Sequence, residues 1–163
     1  MEWADVRVHV SNILATLIRA YADGDFDDLV SCWHETNRAS YRYVEAHQQH
    51  TLDDATTFFR NHVLAQCEVW VAVESSTLLG LLALQGPWIR QFAVFPAFQR
   101  RGVATALLAK ARERSPQELR LFTFQRNRPA RAFYERHGFA PVALGVSPAP
   151  ELEPDVEYRW SPA

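Results

Sequence analysis

A glycine-containing segment that precedes a helical stretch is the first feature of the sequence with the residue types and spacing for chemistry. It spans Gln99–Ala104 and reads QRRGVA. In the first turn of a helix several backbone N–H groups have no partner within the helix, and together with the helix dipole they attract an anion. Gly102 has no Cβ to keep a phosphate away from the backbone, and Arg100 and Arg101 add positive charge. The segment therefore predicts an anion site.

Two other phosphate-binding patterns do not fit this segment. A P-loop ends in Gly-Lys-Ser/Thr, and a dinucleotide-binding fingerprint requires Gly-x-Gly-x-x-Gly. Gln99–Ala104 contains neither pattern, so we do not expect nucleotide hydrolysis or NAD binding.

A second candidate segment is Asn127–Phe139. Asn127 is a good helix N-cap, Pro129 is tolerated in a first helical turn, and Gly138 is typical of a helix end. Asn127 and Tyr134 are seven residues apart, which at about 100° per residue places them within roughly 20° of each other around a helix. Both side chains can therefore face one ligand.

Alternating strand and helix patterns surround the two segments. Strands are predicted at Ile13–Tyr21, Val69–Glu74, Leu78–Leu84, Trp88–Phe95, Leu119–Phe124, Phe139–Val146 and Val156–Trp160. Helices are predicted at Phe26–His34, Thr51–Ala65, Val103–Arg114 and Arg128–His137. The polar and aromatic residues 35–50 are predicted to form helix and loop at the surface. The alternation implies an α/β domain with a mixed sheet.

Length, charge and cysteine content favour one ordinary globular domain. A chain of 163 residues can bury a sufficient core, so we expect one domain over residues 1–163, with residues 1–12 as an N-terminal extension in a short strand or helix. The net charge of −2 gives no basis for nucleic-acid binding. Cys32 and Cys67 form no CxxC pair, so neither a metal site nor a disulfide is expected. No apolar run suits a membrane span, and we expect a cytoplasmic protein.

The first segment and its surroundings, Val94–Leu108, resemble the acetyl-CoA-binding motif of the GNAT N-acetyltransferase superfamily, Gln/Arg-x-x-Gly-x-Gly/Ala. Ala104 occupies the last motif position. The resemblance implies that the backbone of Gln99–Thr105 holds the pyrophosphate of coenzyme A. It also implies that backbone groups of Phe92 and Val94 pair with the pantetheine arm as an added strand would.

The second segment resembles the second GNAT motif, Asn-x-x-Ala-x-x-Phe-Tyr-Glu-x-x-Gly-Phe, at every named position. The resemblance implies that Asn127 contacts the pantetheine arm and that Tyr134 protonates the departing thiolate. The coenzyme-binding residues implied by the two motifs together are Phe92, Ala93, Val94, Gln99, Arg100, Arg101, Gly102, Val103, Ala104, Thr105, Asn127, Ala130, Phe133 and Tyr134. The resemblance is clear over Trp88–Val142.

The implied fold is α/β (α+β), with a mixed, mostly antiparallel sheet of six to seven strands, about four flanking helices and splayed fourth and fifth strands. The implied activity is transfer of an acetyl group from acetyl-CoA to a primary amine of a small molecule or peptide. Direct attack of the amine on the thioester is expected, with the N–H of Phe92 as a donor to the carbonyl oxygen. The enzyme is expected to be a monomer or homodimer.

The sequence departs from the family where many members carry an acid early in the fourth strand, because Arg90 and Gln91 stand there. The base that removes the proton of the amine is therefore open. Either a chain of water molecules leads the proton to Glu35, Glu45, His47 or His50, or no base is needed because the amine of the acceptor is less basic than that of lysine. A non-catalytic acyl-CoA-binding sensor or interaction module is the alternative function. The acceptor-binding candidates are Tyr43, His47, Trp88 and Arg90, of which Arg90 suits an acidic part of an acceptor.

Overall fold

A computed structural model of the protein describes residues 16–163. Its strands are β1 (Leu17–Ala20), β2 (Glu68–Glu74), β3 (Thr77–Gln85), β4 (Trp88–Val94), β5 (Leu119–Phe124), β6 (Ala140–Val146) and β7 (Pro154–Trp160). They form one sheet in the order β1-β2-β3-β4-β5-β7-β6. All neighbours are antiparallel except β4 and β5, which are parallel. The predicted mixed, mostly antiparallel sheet is confirmed.

Within residues 16–163 five α-helices accompany the sheet: α1 (Phe26–Ser40), α2 (Glu45–Gln49), α3 (Leu52–Phe58), α4 (Val103–Arg114) and α5 (Arg128–Arg136). A π-helical turn, Phe59–Leu64, continues α3. None of the helices within residues 16–163 combines the length and apolar character needed to cross a membrane.

Three predicted boundaries differ from the structure by two residues or more. The first helix was expected to end at His34 but continues to Ser40, because Trp33 and Thr36 are buried on the same side as Leu29 and extend its inward face by a turn. The last strand begins at Pro154 rather than Val156. The first strand is confined to Leu17–Ala20 within the described part of the chain. The predicted extension of residues 1–12, and residues 13–15 of the predicted first strand, lie outside the described residues.

The start of α3 shows how local sequence sets a helix boundary. The hydroxyl of Thr51 accepts a hydrogen bond from the backbone N–H of Asp54 at 3.1 Å, and the Asp54 carboxylate accepts one from the Thr51 N–H at 2.9 Å. This capping box satisfies N–H groups that the first turn of the helix leaves free. The predicted helix start at Thr51 is confirmed.

The core has one layer on each face of the sheet. On one face α4 and α5 bury residues such as Leu107, Leu108 and Tyr134 against the sheet. On the other face α1, α3 and the π-helical turn bury Leu29 and Phe59. The central strand β3 supplies both layers because successive side chains of a strand point to opposite faces.

Strands β4 and β5 part almost as soon as they meet. Within residues 16–163 they share one pairing position, Trp88 opposite Arg120, and the Arg120 N–H donates to the Pro87 carbonyl at 2.8 Å. Since the strands are parallel, both carboxyl ends lie on the same side of the sheet, and α4 and α5 follow these ends. The predicted splay of the fourth and fifth strands is confirmed.

Gly80 lets β3 and β4 approach each other closely at a point where β4 has no paired strand on its other side within residues 16–163. A Cβ at this position would lie 2.4 Å from the Ala93 carbonyl oxygen, which is backbone and cannot rotate away. A β-bulge on the same strand pair leaves Arg90 as an extra residue between Ile89 and Gln91.

Replacing Gly80 by Ala should lower the free energy of unfolding by about 1–3 kcal/mol, because the added methyl group overpacks the strand pair. Urea denaturation measures the change. Gly24→Ala is the matched control, since nothing lies within 4 Å of a Cβ placed there. Equal stability of the two variants would contradict the account of the β3–β4 contact.

Candidate functional site

A cavity of about 1680 Å³ opens where β4 and β5 part. Its wall includes Ile89–Val94 of β4, Leu121–Phe124 of β5, the first turn of α4, one side of α5, and residues of α1 and of the β6–β7 connection. Pockets for one small ligand usually measure about 300–1,000 Å³. The cavity is therefore large enough for two reactants.

The first turn of α4 presents free backbone donors to this cavity. Its N-cap is Gly102, with φ 82° and ψ 5°, and no side chain in the described part of the chain caps this helix end. A Cβ at Gly102 would meet nothing within 4 Å, so the space in front of the turn is open. The backbone N–H groups of Val103, Ala104 and Thr105 belong to the turn whose donors a helix leaves unpaired. This arrangement suits an anion.

The loop before α4 contains one arginine that lines the cavity and one that does not. Arg100 lines the cavity and has a φ of 63°. The Arg101 guanidinium lies 3.4 Å from the Glu74 carboxylate and over the Phe98 ring, outside the cavity lining. The predicted contribution of Arg101 to anion binding is therefore limited to its backbone and to its long-range charge.

The edge of β4 that faces β5 carries unpaired backbone groups. The Phe95 N–H donates to the Leu79 carbonyl on β3 at 2.9 Å. Because the direction of backbone groups alternates along a strand, Phe92 and Val94 point theirs to the opposite side, towards the gap. The Val94 carbonyl accepts a hydrogen bond from the Gln99 side chain at 3.0 Å. The N–H and C=O of Phe92 and the N–H of Val94 remain directed into the cavity.

Helix α5 supplies the polar side chains opposite this edge. Asn127 caps the helix, since its Oδ1 accepts from the Ala130 N–H at 3.3 Å. Asn127, Ala130, Phe133 and Tyr134 all line the cavity. The seven-residue spacing of Asn127 and Tyr134 thus places both at one cavity.

Tyr134 belongs to the core and to the cavity wall at once. Its exposed fraction is 7%, and its ring packs against Phe92, Phe139 and Tyr158 at centroid distances of 6.1, 5.5 and 6.0 Å. Burial, and next the nearby Tyr41, raise the pKa of Tyr134 well above its ordinary value. Its hydroxyl therefore stays protonated at any physiological pH and is available as a hydrogen-bond donor.

An aromatic cluster forms the cavity wall on the side of α1 and α2. Tyr41 packs on Phe124 at 5.1 Å and on His47 at 5.0 Å between ring centroids. The Tyr43 hydroxyl is buried and has no hydrogen-bond partner within residues 16–163. Burial, followed by Tyr41, raises the pKa of Tyr43 to about 12. A buried hydroxyl without a partner costs free energy, so this wall is suited to a polar ligand.

Two of the four candidate bases line the cavity. They are His47 and His50, whereas Glu35 and Glu45 do not line it. Burial is the main cause that lowers the pKa of His47, although Glu151, at 3.7 Å from its Nε2, acts in the opposite direction. His47 is therefore neutral at pH 7 and able to accept a proton.

Of the remaining acceptor candidates, Arg90 lines the cavity and Trp88 does not. Arg90 lines the cavity edge, where its Nε donates to the Gln85 side chain at 3.0 Å. Trp88 stacks on Phe122 at 5.2 Å and lies outside the cavity lining. Gln91 accepts a hydrogen bond from the Trp33 indole at 3.2 Å.

Many residues that line the cavity were not among the predicted site residues, and Tyr41 and Asp155 are two of them. The ring of Tyr41 packs on Phe124 and His47 in the cavity wall, and only tertiary contacts reveal this position. Asp155 lines the cavity and is 8% exposed. The alternation of Asp155 and Glu157 with buried Val156 and Tyr158 could have placed it on a polar strand face, but the predicted strand began one residue too late.

The comparisons with known proteins agree with one family. The model described as "Acetyltransferase (GNAT) family" matches residues 27–139. The chain is 28% identical over 124 residues to the peptidyl-lysine N-acetyltransferase YiaC of Escherichia coli (strain K12), covering 76% of this chain and 82% of that protein. It is 34% identical over 131 residues to the uncharacterized N-acetyltransferase YafP of the same strain, covering 77% of this chain and 81% of that protein.

A solved structure shares the fold. The apo form of YjaB from Escherichia coli superposes with a TM-score of 0.76 at 22% identity, over 91% of this chain and 99% of that chain. At this identity the likeness establishes the fold alone.

Replacing Asn127 by Ala should lower the free energy of unfolding by about 1 kcal/mol, because the helix loses its cap. Asn127→Ser is the matched variant and should retain most of the stability, since Ser is an equally good cap. Thermal and urea denaturation of both variants measure the difference. If Ala and Ser behaved alike, the contact between Asn127 and the Ala130 N–H would not support α5.

Proposed function

The chain belongs to the acetyltransferase (GNAT) family, and from this premise we propose that it transfers an acetyl group from acetyl-CoA to a primary aliphatic amine of a small molecule or peptide. One observation carries the proposal: the uncapped first turn of α4, the unpaired edge of β4 and Tyr134 line the same cavity. The relative YiaC is named a peptidyl-lysine N-acetyltransferase, and a lysine side chain is a primary amine of this class.

The free donors of the cavity suit the two polar parts of coenzyme A. The amides of Val103, Ala104 and Thr105 would bind the pyrophosphate, helped by the charge of Arg100. The backbone groups of Phe92 and the N–H of Val94 would pair with the amides of the pantetheine arm, as an added strand does. Acetyl-CoA would supply the acetyl group as a thioester, and coenzyme A would leave as the free thiol once the group is on the amine.

Tyr134 is proposed as the proton donor to the departing sulfur. A buried hydroxyl with a raised pKa is a weaker acid than tyrosine in water, but burial raises the proton affinity of a thiolate in the same cavity as well. The proton is therefore shared or transferred without the cost of creating a solvated charge. The Phe92 N–H is proposed to stabilise the negative charge that develops on the carbonyl oxygen.

The attacking nitrogen must first lose a proton, because an aliphatic ammonium has a reference pKa of about 10.4. His47 and His50 are the candidate bases with access to the cavity. His47 is favoured because burial keeps it neutral. We propose that the proton leaves through this histidine, directly or through water.

Replacing Gly102 by Ala should weaken acetyl-CoA binding about tenfold, equivalent to ~1.4 kcal/mol. The methyl group would enter the open space before α4, and φ of 82° is unfavourable for Ala. Isothermal calorimetry with acetyl-CoA and with acetyl-pantetheine, which lacks the pyrophosphate, separates the effects. Only the binding of acetyl-CoA should weaken.

Gly86→Ala is the matched control for this variant. Gly86 also has a positive φ, 57°, with nothing within 4 Å of a Cβ, but it lies outside the cavity lining. It should carry a similar backbone strain without a loss of affinity. Equal loss in the two variants, or none in Gly102→Ala, would contradict the anion site.

Replacing Tyr134 by Phe should lower kcat by about 10²- to 10⁴-fold, because the general acid is lost while the ring remains in the core. Free-thiol release measures kcat, and calorimetry should show unchanged acetyl-CoA affinity. Tyr158→Phe is the control, since its hydroxyl contacts Glu135 and Arg131 outside the cavity. It should lose stability but retain kcat.

Full activity in Tyr134→Phe would rule out the proposed acid. Binding of acetyl-CoA by the unaltered protein, with no thiol released for any amine of a broad panel, would favour the acyl-CoA sensor instead.

A further inference from the structure

The two ends of the cavity carry charges of opposite sign. Arg100 and Arg136 line the end at the first turn of α4, where Thr105 lies 3.5 Å from the ring of His137. Glu151 and Asp155, from the β6–β7 connection and from β7, line the other end, together with Arg126, whose charge is paired with Glu153. The first end suits the anionic coenzyme, so the second end is the one left for the acceptor.

Asp155 faces that second end from β7, a strand with a neighbour on each side. Strand β7 pairs with both β5 and β6, which places Asp155 opposite Phe124 on one side and Gly145 on the other. Its neighbour Val156 is buried in the core layer under α5. Because side chains alternate along a strand, Asp155 points to the opposite face, where Phe124 packs against the ring of Tyr41.

Asp155 lacks the cationic partner that its neighbouring acids have. Glu153 forms an ion pair with Arg126, and Glu157 forms one with Arg120. No Lys or Arg of residues 16–163 forms an ion pair with Asp155, although its exposed fraction is only 8%.

The pKa values of Glu153 and Asp155 are shifted in opposite directions. The guanidinium of Arg126 lowers the pKa of Glu153, whereas burial raises the pKa of Asp155. A raised carboxyl pKa means that the fold disfavours the charged form, so the Asp155 charge reduces stability at neutral pH. A bound cation would remove this penalty.

Gly145 keeps the space beside the carboxylate open. A Cβ at this position would lie 3.1 Å from Oδ1 of Asp155. Any larger residue would therefore crowd the carboxylate. Gly145 also lines the cavity and is itself exposed, so a ligand can reach this place.

We propose that Asp155 binds a second positive charge of the acceptor, so that the preferred acceptor is an aliphatic amine with another cationic group. This inference rests on the proposed function. The reacting nitrogen must be uncharged when it attacks, so it cannot keep a counter-ion through the reaction. A lasting buried carboxylate instead fits a group that stays positive throughout and holds the reacting end in place.

The test compares α,ω-diaminoalkanes of three to six carbons with 1-aminoalkanes of the same length, using free-thiol release with saturating acetyl-CoA. The unaltered protein should prefer the best diamine over its monoamine about 10- to 100-fold in kcat/KM, the worth of one charge-assisted hydrogen bond. Asp155→Asn should abolish this preference by raising KM for the diamine. Turnover of the monoamine should not change.

Two further variants make the test specific. Glu157→Gln removes an acid of the same strand that Arg120 already neutralises, outside the cavity lining, and should keep the preference. Gly145→Ala should reduce the preference, because its methyl group crowds Oδ1. Asp155→Asn should also be at least as stable as the unaltered protein, because it loses a disfavoured charge.

Three results would overturn the proposal. In the first, the unaltered protein prefers no diamine over its monoamine. In the second, Asp155→Asn keeps the full preference. In the third, Asp155→Asn loses turnover equally with diamines and monoamines. The last result would make Asp155 part of the chemistry. Thiol release with monoamines alone would leave the acetyltransferase proposal standing while this inference fails.

Discussion

The parting of β4 and β5 is the constraint on which the rest of the site depends. After Trp88 and Arg120 the two strands share no further pairing position within residues 16–163, so β4 is held through β3 alone, where Gly80 permits close contact with the Ala93 carbonyl. Backbone groups at an unpaired strand edge require partners. The gap is therefore both a cost to the fold and a ready-made place for an extended ligand.

The helices that follow the two strands turn this gap into a polarised cavity. Because β4 and β5 are parallel, α4 and α5 both begin at its open end, and α4 contributes unpaired amides beyond Gly102. Tyr134 connects the cavity to the core, since the packing that fixes its ring also excludes water from its surroundings. Positive charge at one end and Asp155 with Glu151 at the other give the cavity a direction.

Local patterns in the sequence predicted most of the fold, because the determinants are short-range. The start of α4 follows from Gly102, its buried face follows from the apolar spacing of Val103, Leu107 and Leu108, and the α3 start follows from Thr51. The extension of α1 to Ser40 was not predictable locally, since burial of Thr36 against other elements decides it.

The candidate site was less accessible to the same reasoning. The spacing of Asn127 and Tyr134 indicated a shared ligand, but Tyr41 and Asp155 reach the cavity only through tertiary structure. Arg101 was predicted from its motif position and Trp88 as an acceptor candidate, yet neither side chain lines the cavity, because Arg101 turns to Glu74 and Trp88 stacks on Phe122. A motif specifies a backbone path better than it specifies side-chain directions.

Amide hydrogen exchange with and without coenzyme A tests the central claim most directly. If the coenzyme pairs with the open edge of β4, the amides of Phe92 and Val94 and those of Val103–Thr105 should become strongly protected, while the amide of Phe95, already bonded to Leu79, should not change. Unchanged exchange at Phe92 and Val94 with coenzyme A bound would contradict the account.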